Sequence, residues 1–197
     1  MTAQSSFLAL GLMSGTSADG IDAALIRTDG ESHVECLEGV TVPYSPSFTR
    51  RLLEACRTHV PDTGLEQQIT LMHRAAVDSL LIMGKRNMQD VDVIGFHGHT
   101  IYHAPEKRET LQLGDGALLA RLTGIPIVND FRRNDVQHGG QGAPLVPIFH
   151  RAVTGGLPHP LALVNIGGVA NVTWIGREGE LLAFDTGPGN ALLDDWM

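Results

Sequence analysis

The 197-residue sequence is short of cysteine, of basic residues and of long apolar runs, and each shortage removes a class of protein. Cys36 and Cys56 lie far apart with no CxxC spacing, so neither a disulfide framework nor a zinc knuckle is expected, and a reducing cytoplasm fits best. Fourteen Lys and Arg stand against 22 Asp and Glu, a net charge of −8, so no nucleic-acid partner is expected, although a local basic pocket can still form. The early apolar run FLALGLM, residues 7–13, is too short to cross a bilayer and follows a segment without Lys or Arg. It reads as a buried strand, neither a membrane anchor nor a signal peptide. The two commonest nucleotide signatures, GxxxxGK[ST] and GxGxxG, are missing as well.

What is present is an ordinary globular composition, 43% hydrophobic and 18% charged, in a chain long enough for one good core or one and a half domains. From Phe7 the order is strand, Gly-rich turn, a second strand ended by Asp29-Gly30, and a third strand in HVECLEGVTVPYS. Leu65, Ile69, Met72, Ala76, Leu80 and Met83 fall at three- and four-residue steps and predict an amphipathic helix over 65–88. VDVIGFHGHTIYH follows as a buried strand with its exit loop. Residues 110–131 read as strand, turn, a short helix ended by Gly124 and Pro126, and strand, before a loop rich in Gly and Arg. From Leu161 the opening layout returns, so a first lobe over 1–160 and a second over 161–197 are expected. The final ALLDDWM starts a helix with Ala191, Leu192 and Trp196 on one side, and the second lobe is expected to be cut short, in a fragment or a truncated gene product.

The turn after the first strand joins Gly15 and Gly20, which let a backbone approach closely, to the hydroxyls of Ser14, Thr16 and Ser17, a set suited to phosphate oxygens. Asp19 and Asp22 repel phosphate but suit a hydrated Mg²⁺ beside it. A tight hairpin whose polar side chains satisfy turn amides explains the same residues. Asn165-Ile166-Gly167-Gly168, followed by Asn171 and Thr173, repeats the layout. Two such hairpins across a cleft could grip a nucleotide from both sides, as in the actin-like ATPase and sugar kinase architecture.

GLMSGTSADGID, GFHGHTIYH, QLGDGALLARLTGIP, DFRRNDVQHGGQGAPLVP, NIGGVANVT and FDTGPGNALLDDW, in this order, resemble the anhydro-N-acetylmuramic acid kinases of bacterial cell-wall recycling. The resemblance spans nearly the whole chain but only about the first half of that family's usual length. It implies an α/β actin-like ATPase (ribonuclease H-like) fold with duplicated lobes and mixed sheets. It also implies an enzyme that uses ATP and water to open the 1,6-anhydro ring and phosphorylates O6, giving N-acetylmuramic acid 6-phosphate. Gly15, Thr16, Ser17, Ala18, Asp19, Gly20, Ile21 and Asp22 would then form the ATP phosphate loop with Gly167 and Gly168, and Asp185 would activate the water. Chemistry agrees on Asp185: attack at an acetal carbon needs a carboxylate base, and the Gly-Pro-Gly turn would fix its direction. An ordinary turn explains Asp185 too.

Arg132 and Arg133 could hold the lactyl carboxylate of a muramic sugar or a phosphate, or form a solvated basic patch. Asn134 stands where the family commonly has a third basic residue. His97 and His99 would share one strand face, but with no acidic or Cys ligand at a supporting spacing a metal site with His103 is not expected; His97 and Thr100 are read as sugar contacts. Gln112, Asp115 and Asp130 could reach hydroxyls or cap turns, and GGQGAPLVP reads as a hinge. A non-catalytic nucleotide-binding protein of this fold would have no use for Asp185, and a glycoside hydrolase would need a second positioned carboxylate. The expected partners are an amino sugar and ATP, with no membrane. Self-association through an exposed second-lobe surface, as a homodimer, and little turnover by these residues alone are also expected.

Overall fold

A computed structural model describes residues 6–194 and residue 196. Residues 1–5, part of the segment without Lys or Arg, lie outside the described residues, as do Asp195, Met197 and the side chain of Ala191 in the expected final helix. Strand β1 (Phe7–Ser14) alternates and buries Leu8, Leu10, Leu12 and Ser14. It turns through residues 15–19 into antiparallel β2 (Gly20–Thr28), which pairs with β3 (Val34–Pro43). Asp29 ends β2 by accepting hydrogen bonds from the N–H groups of Glu31, Ser32 and His33, a side chain mimicking a turn carbonyl.

Helix α1 (Pro46–Thr58) has no counterpart in the sequence reading. Its signal was a Ser-Pro start: Ser45 Oγ accepts from Phe48 N–H, Pro46 occupies the first turn, and Phe48, Leu52 and Ala55 bury one stripe. Helix α2 (Leu65–Met83) buries Leu65, Ile69, Ala76 and Leu80 as expected, with Met72 half-buried and Met83 turned outward. It stops five residues short of the expected end because the Gly84 N–H closes the last turn on Leu80 O and Lys85 adopts φ 53°.

Strand β4 (Val93–Ala104) lies parallel to β1, and its two halves take different partners. The second half pairs antiparallel with β5 (Glu109–Leu113); helix α3 (Gly116–Thr123) then leads to β6 (Ile127–Asn129), which pairs parallel with the first half. The sheet order is β3-β2-β1-β4-β5, with β6 beside β4. Helices α1 and α2 pack on the Leu8, Leu10, Leu12, Ile94 and Phe96 face, each such buried side chain contributing ~2 kcal/mol. The segment read as a loop contains α4 (Arg133–Gln137), followed by α5 (Pro147–Val153). A second, antiparallel sheet holds β7 (Leu161–Ile166), β8 (Val169–Ile175) and β9 (Leu181–Pro188), followed by α6 (Ala191–Asp194). Its Thr173–Ile175 face packs under α5, where His150 Nδ1 meets Thr173 Oγ1 at 2.9 Å. The architecture is the expected α/β arrangement, with a mixed first sheet, while the second is antiparallel throughout. No helix of the described residues is long and apolar enough to cross a membrane.

One irregularity in β4 decides which side chains reach each face of the sheet. Leu12 pairs with Phe96 but Ser14 pairs with His99, so β4 carries one extra residue, Gly98, at φ 71°. An extra residue reverses the alternation. His97 therefore faces the side opposite the helices, while His99 enters the core, and the expectation that the two share a face is overturned. A Cβ on Gly98 would fall on the Leu113 carbonyl oxygen. Gly98→Ala should cost ~3 kcal/mol or more, from a left-handed backbone and a backbone clash together, and chemical denaturation against the unaltered chain checks it.

Candidate functional site

The β1–β2 turn is shaped from behind and open in front. Ala18 is fully buried at φ 52°, donates its N–H to Gly15 O and accepts from Thr49 Oγ1. Ile21 is also fully buried, and a Cβ on Gly20 would meet Val42 O at 2.6 Å. These three residues build the turn, and neither the Ala18 nor the Ile21 side chain faces solvent. Ser14, counted among the ligand-facing hydroxyls, is 1% exposed and points into the core, because it continues the buried alternation of β1. Thr16, Ser17, Asp19 and Asp22 are exposed, and a Cβ on Gly15 would meet only Ser17 Oγ at 3.5 Å. Asp19 Oδ1 accepts from Ser17 Oγ at 2.8 Å and Asp22 Oδ1 from Thr41 Oγ1 at 2.6 Å, so each carboxylate is oriented.

A second polar group stands on the other side of β4 from the helices. Arg132, just before α4, donates from Nε to His97 Nε2 at 2.8 Å and from Nη1 to Gly142 O at 2.5 Å. His97 Nδ1 donates to Gly98 O at 3.0 Å, which fixes the neutral tautomer that accepts from the arginine. Burial pushes His97 below its ordinary pKa and also lowers that of Arg132, an effect the nearby Asp185 carboxylate opposes. Asp185 of β9 thus acts electrostatically on the guanidinium that holds His97. Gln112 Nε2 donates to Thr110 Oγ1 at 2.7 Å and to Thr100 Oγ1 at 3.4 Å, and His103 joins Thr110 to Gln141 O, continuing one hydrogen-bonded wall.

Asp185 is exposed and stands opposite Asn171, which stands opposite Asn165. Thr186 is an extra residue in β9 at this point, and a bulge beside a functional side chain re-aims it. The GPGN turn is tied to the second glycine turn: Gly189 N–H donates to Gly168 O at 2.9 Å and Asn190 N–H to Gly167 O at 2.8 Å. Gly167 and Gly168 therefore fix the loop that follows the carboxylate.

The remaining candidates separate. Arg133 turns away from Arg132 to an ion pair with Asp130 at 3.2 Å, half-exposed and so weakly stabilising. Asp115 caps α3 by accepting from Leu118 N–H at 2.8 Å. The three histidines diverge: His97 meets Arg132, His103 meets Thr110 and Gln141, and His99 is buried between Ser14 Oγ at 2.8 Å and Cys56 Sγ at 3.4 Å. The segment read as a hinge is anchored, with Asp135 accepting from Gly140 N–H through its carbonyl and from Gly142 N–H through its carboxylate. Asp135 and Tyr44 were missed, since contacts such as Tyr44 to Ser14, 30 positions apart, leave no local spacing to read.

A model of the anhydro-N-acetylmuramic acid kinase family matches residues 7–197. Proteins of that name from Paramagnetospirillum magneticum and Rhizorhabdus wittichii are 56% identical over 189 residues and 52% over 200 residues, covering 96% of this chain and 53% and 55% of their own lengths. A third, from Brucella abortus, is 47% identical over 203 residues, at 96% and 54% coverage. The chain spans about half the length of these curated relatives. Among solved structures, the type II variant of the Aquifex aeolicus Ppx/GppA phosphatase aligns over 96% of this chain and 55% of its own, with TM-score 0.50 and 8% identity, a likeness of fold.

Two buried imidazoles make the fold acid-sensitive. His73 donates from Nδ1 to Ile69 O and its Nε2 has no partner among the described residues; burial lowers its pKa to about 4, and that of His99 to about 4. An unfolded chain protonates both near pH 6.5, so below that value the unfolded state binds protons the fold refuses. Stability should be fully present above about pH 6.5 and fall as the pH drops toward 4, by ~3 kcal/mol for each histidine. Thermal unfolding between pH 7.5 and 4.5 checks this, and His73→Leu should remove about half of the pH dependence, whatever its absolute stability.

Proposed function

The chain belongs to the anhydro-N-acetylmuramic acid kinase family, and from that premise we propose that it carries the phosphate turn and the water-activating base of an ATP-dependent kinase for anhydro-N-acetylmuramic acid. The observation that carries the reading is the contact of His97 on β4 with Arg132 before α4, on whose guanidinium the charge of Asp185 on β9 also acts. Asp185 takes a proton from water as the water attacks the acetal carbon, the bond from that carbon to O6 breaks, and O6 accepts the γ-phosphoryl group of ATP. The products are N-acetylmuramic acid 6-phosphate and ADP, and the proton passes from Asp185 to solvent. Arg132 would hold an anionic group of the sugar through Nη2, since Nε and Nη1 already bond to protein. His97 and Thr100 would face the sugar, with Asp115 and Arg133 at its margin.

The open front of Gly15 and the exposed Thr16 and Ser17 support phosphate binding at residues 15–22, with Gly167 and Gly168 on the second lobe. The donor set fits a divalent ion: Asp19 and Asp22 would hold a hydrated Mg²⁺ through Oδ2, each Oδ1 being engaged already. When bound, that ion neutralises phosphate charge. The two separate sheets support a boundary near 160 between a first and a second lobe. The unpaired Cys36 and Cys56 support a cytoplasmic setting. The apolar face of Ala162, Val172, Trp174, Leu182 and Phe184 supports self-association of these residues as a homodimer, which sedimentation checks.

Turnover is to be measured in a protein of the relatives' full length carrying these residues. Asp185→Asn should keep sugar and nucleotide binding and lower turnover by roughly 10² to 10⁴, the scale of losing a general base. Near-normal turnover would remove Asp185 from the mechanism. Gly15→Val should leave the fold intact and abolish tight nucleotide binding in calorimetry, because its side chain would fill the space in front of the turn.

A further inference from the structure

Tyr44 grips both ends of the phosphate turn. Its backbone N–H donates to Asp19 O at 2.9 Å, where the chain leaves the turn. Its phenol donates to Ser14 Oγ at 2.8 Å, where the chain enters. Thr49 Oγ1 holds the middle through Ala18 O at 2.9 Å. Tyr44 and Ser14 are both buried, and the tyrosine ring is wedged against Phe48 with centroids 4.8 Å apart.

The protons along this contact have a direction. Ser14 Oγ accepts from the phenol, which leaves its own proton for His99 Nδ1 at 2.8 Å when that nitrogen is unprotonated. His99 then carries its proton on Nε2, which faces Cys56 Sγ at 3.4 Å, and the thiol donates to Thr100 O at 3.8 Å. Burial favours the neutral form of every member: the Tyr44 phenol is pushed up to about 12, the Cys56 thiol upward, and His99 down to about 4. The line ends on the backbone of β4 next to the face that carries His97.

We propose that Tyr44 is a positioning residue for the phosphate turn, and that the one-way line Tyr44, Ser14, His99, Cys56, Thr100 fixes that turn relative to the sugar-facing side of β4. The inference rests on the nucleotide reading of residues 15–22. Tyr44 acts through Ser14 and Asp19, and the turn needs it because an exposed hairpin tip is otherwise free to move on the time scale of loops.

The test uses a protein of the relatives' full length. Tyr44→Phe keeps the ring and the backbone bond to Asp19 but removes the phenol proton. Nitrogen-15 spectra of the histidine rings should place the His99 proton on Nε2 in the unaltered protein and move part of it to Nδ1 in Tyr44→Phe, where Ser14 becomes free to accept from the ring. Affinity for a non-hydrolysable ATP analogue with Mg²⁺ should fall roughly 5- to 10-fold in Tyr44→Phe and in Ser14→Ala, the scale of one hydrogen bond, at a temperature where both are folded by circular dichroism. Cys36→Ser, at an exposed position of β3 outside this line, should bind as the unaltered protein does. Unchanged affinity in folded Tyr44→Phe and Ser14→Ala, beside binding by the unaltered protein, overturns the positioning role. No analogue binding by the unaltered protein overturns the nucleotide reading and the inference with it, and a His99 proton on Nδ1 in the unaltered protein overturns the direction of the line.

Discussion

Gly98 is an extra residue in the longest strand, and its left-handed backbone decides which side of the sheet His99 meets. Without it, residues 97 and 99 would stand on one face by simple alternation. With it, His97 reaches Arg132 on the open side, and His99 reaches Ser14 and Cys56 under α1. The imidazole at 97 takes the Nδ1–H tautomer, imposed by the Gly98 carbonyl. One bulge thus supplies an acceptor for a guanidinium on one face and a buried, hydrogen-bonded imidazole on the other.

The polar groups of the site are held by long-range contacts instead of by their own loops. Arg132 is oriented by a strand residue 35 positions earlier and by the Gly142 carbonyl, while Asp135 gathers the amides of the glycine loop around it. The guanidinium is therefore partly desolvated, and burial lowers its pKa. Asp185 comes from the second sheet, on β9. Its bulge at Thr186 and the backbone bonds between the GPGN turn and Gly167-Gly168 link the carboxylate to the second glycine turn.

Much of this was legible in the residues. The alternation of β1 and β2, the helical stripe of α2, the α3 cap at Asp115 and its Gly124 stop all follow from local periodicity and capping chemistry. Helix α1 escaped because its buried stripe is short and interrupted by Arg50, Arg51, Glu54 and Arg57. Ser14 was misread for a different reason: a hydroxyl at the mouth of a turn looks available, but its place in the strand's alternation turns it inward.

The sequence by itself determined most of the strands and helices α2 and α3, the two glycine turns, the family resemblance and Asp185 as the candidate base. These depend on residue type and near-neighbour spacing, which a chain carries whether folded or not. Only the tertiary structure decided that Arg132 stands with His97 while Arg133 pairs with Asp130, that His97 and His99 part company, and that Tyr44 holds both ends of the first turn. Each of those outcomes depends on strand register and on the packing of segments far apart in the chain, and register is fixed only when the sheet closes and its apolar face is buried.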